Sequence, residues 1–240
     1  MKSLLIVLLS ATIGSGCAKK DNEAQNPNNA TFKPISSVKT YTYLALGDSY
    51  TIGEAVMQNE SFPYQLAQVL KTDSSAVEEP KIIAKTGWTT DELIQNIKAT
   101  PLNPKYDFVT LLIGVNNQYR NYDIEIYRKE FAALLQTAIN YAGGKPERVF
   151  VISIPDWGVT TFAKNSGRSI TQIAKEIDAY NAINKEETGK MQANYLDITP
   201  ISREAATNIS LIASDGLHPS AQMYMRWVEK LKPLVALKLN

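Results

Sequence analysis

The chain of 240 residues has one cysteine, Cys17, and one histidine, His218. A lone cysteine excludes any disulfide within the chain. One His and one Cys also fall short of the nitrogen and sulfur ligands that a zinc site needs, so a metallohydrolase is disfavoured and neither metal nor other cofactor is expected. Neither sign of charge is in excess: 25 Lys and Arg stand against 24 Asp and Glu, with no long run of either. Nothing in that balance draws a polyanion, and nucleic acid is not an expected partner. No internal repeat is visible. The sequence also lacks an apolar run long enough to span a bilayer, its longest being Leu4–Leu9 at the N-terminus. What is left is an ordinary globular composition, 44% hydrophobic, sufficient for one good core and one domain.

The first residues, MKSLLIVLLSATIGSGC, place one basic residue, Lys2, before the short apolar run and small residues before Cys17. This pattern predicts a secretory signal over residues 1–17. Gly14, Ser15 and Gly16 ahead of the cysteine resemble a bacterial lipoprotein cleavage box, although Gly14 stands where an aliphatic residue is usual. The resemblance implies that Cys17 is lipidated and anchors an exported protein in the bacterial cell envelope, periplasmic or outer-membrane facing; the alternative is ordinary cleavage and secretion. Two or more acyl chains on one residue suffice for stable anchoring. Residues 18–40, rich in Asn, Lys, Ser and Pro, read as a flexible tether, and the folded domain is expected over 41–240.

Within that domain, apolar runs with β-branched or aromatic content begin at Tyr41 (YTYLAL), Lys81 (KIIA), Asp107 (DFVTLLIG), Arg148 (RVFVISI) and Asn194 (NYLDI). Segments with helical spacing separate them. Phe62, Leu66, Val69 and Leu70 share a face, as do Leu93, Ile94 and Ile97. Tyr127, Phe131, Leu134, Leu135 and Ile139 form a stripe that Gly143 and Gly144 end, and Ile173, Ile177 and Tyr180 form another. A closing helix is expected from Pro219, kinked or ended by Pro233. The alternation predicts a three-layer α/β/α sandwich around a parallel sheet of about five strands.

Functional groups in such sheets gather at the carboxyl ends of the strands. After the first run comes GDSYTIG, in which Ser49 is either a turn residue or a nucleophile. A serine hydroxyl needs a base, and the chain's one histidine sits in DGLHPS, three residues after Asp215. That spacing lets the carboxylate reach Nδ1 of His218 and leaves Nε2 for the serine proton. KTGWTT after the second run offers the backbone N–H of Gly87, and IGVNNQY after the third offers the amide of Asn116. With the N–H of Ser49 they would form a three-donor oxyanion site; singly, each is also an ordinary turn residue.

GDSY at Ser49, TGWTT at Gly87, LLIGVNN at Asn116 and DGLHPS at Asp215 and His218 resemble, in order, the four motifs of the SGNH hydrolases, also called GDSL esterases and lipases. The resemblance runs over the whole domain from Tyr41. It implies a flavodoxin-like parallel sheet between helices, Ser49 as nucleophile and first oxyanion donor, Gly87 and Asn116 as the other donors, His218 as base and Asp215 as its partner. Two positions depart from the family pattern: Tyr50 replaces leucine, and Asn117 stands where many members have aspartate. The nucleophile elbow GxSxG of the α/β-hydrolases is absent.

The expected activity is therefore hydrolysis of a carboxylic ester through an acyl-enzyme, the substrate being a short acyl ester, an acetylated carbohydrate or a lysophospholipid. The competing expectation is a membrane-tethered module of the same fold that binds without turnover. Trp88, Asn117, Tyr119 and Trp157, with Tyr122 nearby, are candidate pocket residues, each equally readable as packing. The oligomeric state is not legible.

Overall fold

The computed structural model describes residues 38–239; the signal segment, Cys17 and the tether up to residue 37 lie outside the described residues. The chain begins with β1 (Lys39–Tyr41) and β2 (Tyr43–Gly47), then the single turn α1 (Ser49–Ile52) and α2 (Phe62–Val69). β3 (Ser75–Val77) and β4 (Lys81–Ala84) precede α3 (Thr90–Ala99). β5 (Phe108–Leu112) leads into the short α4 (Val115–Tyr119) and the long α5 (Ile124–Tyr141). β6 (Val149–Ile152), α6 (Thr161–Asn165) and α7 (Ile170–Lys190) follow. β7 (Asn194–Leu196), α8 (Thr199–Arg203) and α9 (Ala221–Leu239) complete the chain.

Five strands pair in parallel in the order β4-β2-β5-β6-β7, so all five carboxyl ends lie at one edge of the sheet. From β2 the chain steps outward to β4, then crosses back to β5 and continues the other way. Parallel crossovers are right-handed, so this reversal sends α2 to one face and α3, α5 and α7 to the other. The packing agrees: α2 lies against α9, while α5 packs between α3 and α7. β2, β5 and β6 are buried along their whole length, as strands covered on both faces must be. Tyr43 and Phe108, paired in register across β2 and β5, stack at 4.3 Å between ring centroids in this core.

The first apolar run is two strands, divided at Thr42. Its backbone N–H and hydroxyl both donate to Asp107 Oδ2, at 2.8 and 2.9 Å, and this local clamp interrupts the ladder. Lys39 and Thr40, expected to belong to the tether, pair with Ser75 and Ala76 and so belong to the folded domain. The Tyr41 hydroxyl donates to the Leu239 carbonyl at 2.5 Å, joining the start of the domain to its last helix.

The closing helix starts later than expected and runs on past Pro233. Pro219 is not its first residue but bridges to Ile212, and Ser220 caps the helix by accepting the Met223 N–H. Pro233 neither ends α9 nor stands in its core. It lies on the exposed face, where water can satisfy the carbonyl it leaves unpaired, while Leu231, Val235 and Leu239 hold the buried face.

Candidate active site

Ser49 stands just beyond the end of β2, at the point where the strand order reverses. The turn into α1 is tight because Gly47 has no side chain: a Cβ there would fall 2.1 Å from Thr51 Oγ1 and 2.4 Å from the Leu112 carbonyl. Asp48 then turns inward and accepts the Tyr50 N–H at 3.0 Å. Its carboxyl is fully buried, and burial pushes its pKa up to about 7 against the opposing pull of that backbone hydrogen bond.

Ser49 Oγ lies 3.0 Å from His218 Nε2, and His218 Nδ1 lies 2.5 Å from Asp215 Oδ2. The other oxygen of Asp215 accepts the backbone N–H groups of Leu217 and His218 at 2.9 and 3.0 Å. One carboxylate thus fixes both the ring and the backbone of the histidine. Partial burial raises the Asp215 pKa, but the hydrogen bonds from the ring and these two N–H groups outweigh it and hold the carboxyl below its usual range. The Tyr50 ring meets the imidazole edge-on at 5.7 Å and closes one side of it. Ser49 and His218 are buried, whereas the Asp215 side chain is one-third exposed, 33%.

Gly87 and Asn116 reach the same cavity as Ser49 and His218 from the ends of β4 and β5. Gly87 has φ +86°, a conformation that favours glycine. Among the described residues the N–H groups of Ser49 and Gly87 donate to no protein acceptor. The Asn116 amide donates to the Trp88 carbonyl at 3.0 Å, and the second hydrogen on that nitrogen leaves it a further donor. These groups can stabilise charge on a carbonyl oxygen while Ser49 attacks its carbon.

The cavity has a volume of about 190 Å³, and its far wall is aromatic. Tyr119, Trp157 and Phe162 pack against one another with centroids 5.5 to 6.4 Å apart. The Trp157 ring N–H is used internally, donating to Gln118 Oε1 at 2.8 Å, so its polar atom is turned away. Arg168 braces the rear: its guanidinium lies 5.4 Å from the Trp157 centroid, pairs with Glu176 at 2.9 Å and donates to the Tyr119 carbonyl. Phe162 is joined through its N–H to the Gly216 carbonyl at 2.9 Å, within the turn that carries His218.

Of the residues the sequence offers as pocket lining, Tyr119 and Trp157 border the cavity and Trp88 and Asn117 do not. Asn117 is fully buried, accepting the Thr90 N–H at 3.1 Å and donating to the Thr90 hydroxyl at 2.7 Å; it secures the loop after β4. Trp88 packs against the core, and Tyr122 borders a separate surface depression with Gln118 and Glu176. Phe162, Val115 and Leu217 line the cavity without having been singled out. Phe162 sits in a segment of five helical residues too short for an apolar stripe to identify.

The fold and the chemistry at its sheet edge define the class of carboxylic-ester hydrolases. Residues 45–226 match the GDSL-like Lipase/Acylhydrolase family, and the chain belongs to that family. No curated protein matches it in sequence. Among solved structures it is similar to TesA, with a TM-score of 0.63 and 16% identity over 82% of this chain and 99% of that one. It is also similar to a lipase/acylhydrolase from Enterococcus faecalis, with a TM-score of 0.57 and 21% identity over 83% and 94% of the two chains. An acetyl xylan esterase from Geobacillus stearothermophilus gives a TM-score of 0.56 and 16% identity over 84% and 97%. At these identities the likeness is one of fold.

Proposed function

We propose that the chain hydrolyses esters of unbranched, short to medium fatty acids through an acyl-enzyme on Ser49. The Ser49 oxygen bonds to the ester carbonyl carbon as its proton passes to His218 Nε2, and the carbonyl electron pair moves onto oxygen. The N–H groups of Ser49 and Gly87 and the amide of Asn116 receive that charge. Collapse expels the alkoxide, which takes the proton from His218. Water then repeats the sequence, releasing the acid and restoring the serine. Asp215 keeps the imidazole in the tautomer that presents Nε2 and stabilises the transient imidazolium.

The observation that carries this reading is the unbroken line from Ser49 Oγ through His218 to Asp215, opening onto an apolar cavity. A binding module without turnover has no physical need for that line. The choice of acyl group rests on the three-ring wall and on the cavity's modest volume of about 190 Å³, which suits a short to medium chain better than a long one. A sugar would need hydrogen-bonding partners. The Thr86 hydroxyl at the cavity is engaged by Glu54, leaving the reacting groups themselves and the hydroxyls of Tyr50 and Tyr119. The acetyl xylan esterase among the similar structures is named for an acetylated carbohydrate, and that substrate class is the second reading, favoured only by the stacking surface of the rings.

On the same proposal the chain is exported and held at a bacterial membrane by a lipid on Cys17, supported by the signal segment and the small residues before the cysteine. The substrate reading is tested on the full chain with p-nitrophenyl esters from acetate to dodecanoate beside acetylated xylo-oligosaccharides. Expected is a kcat/KM that rises from acetate to about hexanoate and falls for longer chains, as burial of each methylene adds roughly 0.8 kcal/mol until the cavity is full. Preference for the acetylated sugars would overturn it.

A further inference from the structure

We infer that Arg120 is a positioning residue for the oxyanion site, its guanidinium fixing the turn that presents the Gly87 N–H to the helix that presents the Asn116 amide. The inference rests on the hydrolase reading above and adds to it a residue outside the cavity lining.

The turn is Lys85–Trp88, closed by the Trp88 N–H on the Lys85 carbonyl at 3.2 Å. Gly87, in its third position, has φ +86°, and Thr86 before it has no positive φ, which makes the turn type II. Turn type decides which way the middle peptide faces, and that peptide carries the Gly87 N–H. The direction of the donor is therefore set locally. Its place relative to Asn116 is not: β4 is an edge strand, and the loop after it is free to shift against α4 unless something ties the two together.

Three ties do so, and all come from positions 116–120. Arg120 Nη2 donates to the Gly87 carbonyl at 2.6 Å, Asn116 donates to the Trp88 carbonyl at 3.0 Å, and Asn117 engages Thr90 on both its amide atoms. Arg120 and Asn116 are four residues apart, joined by the Arg120 N–H on the Asn116 carbonyl at 3.0 Å, so both side chains leave the same side of one helical turn. The arginine is the charged donor among the three and falls on the glycine itself, where the backbone is softest. Its rival partner is weak: Glu92 lies 3.5 Å away and already caps the Thr89 N–H at 2.9 Å. The arginine side chain is 42% exposed, so its removal leaves no buried void.

The test is Arg120→Met in the full chain, with p-nitrophenyl butyrate as substrate and an alkyl trifluoromethyl ketone as a mimic of the tetrahedral adduct. A positioning role lowers kcat about tenfold with KM within about twofold, less than the 10² to 10³ that losing an oxyanion donor outright costs. The ketone should bind more weakly by the same factor. Rates and affinities are normalised to the sites titrated by a fluorophosphonate, so any unfolded fraction drops out. A kcat within about twofold of wild type, or a loss confined to KM as for a substrate contact, overturns the inference. Ser49→Ala is run alongside. Hydrolysis surviving in that variant would overturn the reading of an acyl-enzyme on Ser49, on which this inference rests, whereas its loss beside an undiminished Arg120→Met kcat would overturn the role of Arg120 alone.

Discussion

Ser49 Oγ and His218 Nε2 meet at 3.0 Å although 169 positions separate them in the chain. Their meeting depends on the parallel sheet delivering the end of β2 to the same edge as the turn before α9. If the two act as one unit, Ser49→Ala should lower kcat by roughly 10,000-fold or more. Circular dichroism should stay unchanged and labelling by a fluorophosphonate should disappear. Substantial hydrolysis by a folded variant would remove the serine from the mechanism.

Asn116 has two tasks in the structure, one toward the cavity and one toward the Trp88 carbonyl. Asn116→Ala should therefore lower kcat by roughly 10² to 10³ at nearly constant KM, with a fall of a few degrees in melting temperature as the loop loses a neutral hydrogen bond of about 1 kcal/mol. Kinetics and calorimetry on one preparation separate the two. A lower melting temperature with kcat held would make Asn116 a loop residue alone.

Asp48 makes stability depend on pH in the direction opposite to most carboxylates. Its ordinary pKa of 3.8 rises to about 7 on folding, so between these values the native state keeps a proton that the unfolded state has lost. Stability is then greatest below the lower value, falls as pH rises through the window, and levels off above about 7. Asp48→Asn is neutral throughout and should flatten that part of the profile. Urea unfolding of both proteins at about pH 5 and about pH 8 reads the difference, and equal slopes with pH would show that Asp48 titrates normally.

On the proposal that Cys17 carries the lipid, the full-length product of bacterial expression should partition into detergent, and Cys17→Ser should release it into solution. Residues 18–40 have neither an apolar face nor a basic cluster, so no membrane affinity of their own is expected once the lipid is absent. Partitioning that survives the substitution would point to a different anchor.

The sheet and the long helices were legible because each leaves a period in the sequence: continuous apolar runs for β5 and β6, spaced stripes for α5 and α7. Ser49, Gly87 and Asn116 could be named because they follow the ends of those runs, and His218 with Asp215 because the chain has one histidine and an aspartate three residues before it. Single residues within short elements were not legible in the same way. Asn116 and Asn117 are neighbours in the sequence, yet successive residues of a helix point about 100° apart, so the first borders the cavity while the second turns inward to Thr90. Tyr119, three places after Asn116, returns to the cavity side. The pairing of β1 with β3, three residues each, leaves no period at all. Arg120 reads as one more surface charge until the turn at Gly87 is folded beside it.

The point at which the chain joins the domain has a mechanical consequence. It reaches β2 at Tyr43 and arrives at Ser49 only past the strand's far end, roughly 16 Å away at about 3.3 Å per residue. A pull exerted through residue 38 therefore acts on the side of the sheet edge opposite the cavity mouth. There the Tyr41 hydroxyl passes part of the load to the last turn of α9 at Leu239. Force entering the domain there is carried by β1, β2 and α9, and it runs through neither His218 nor the Gly87 turn.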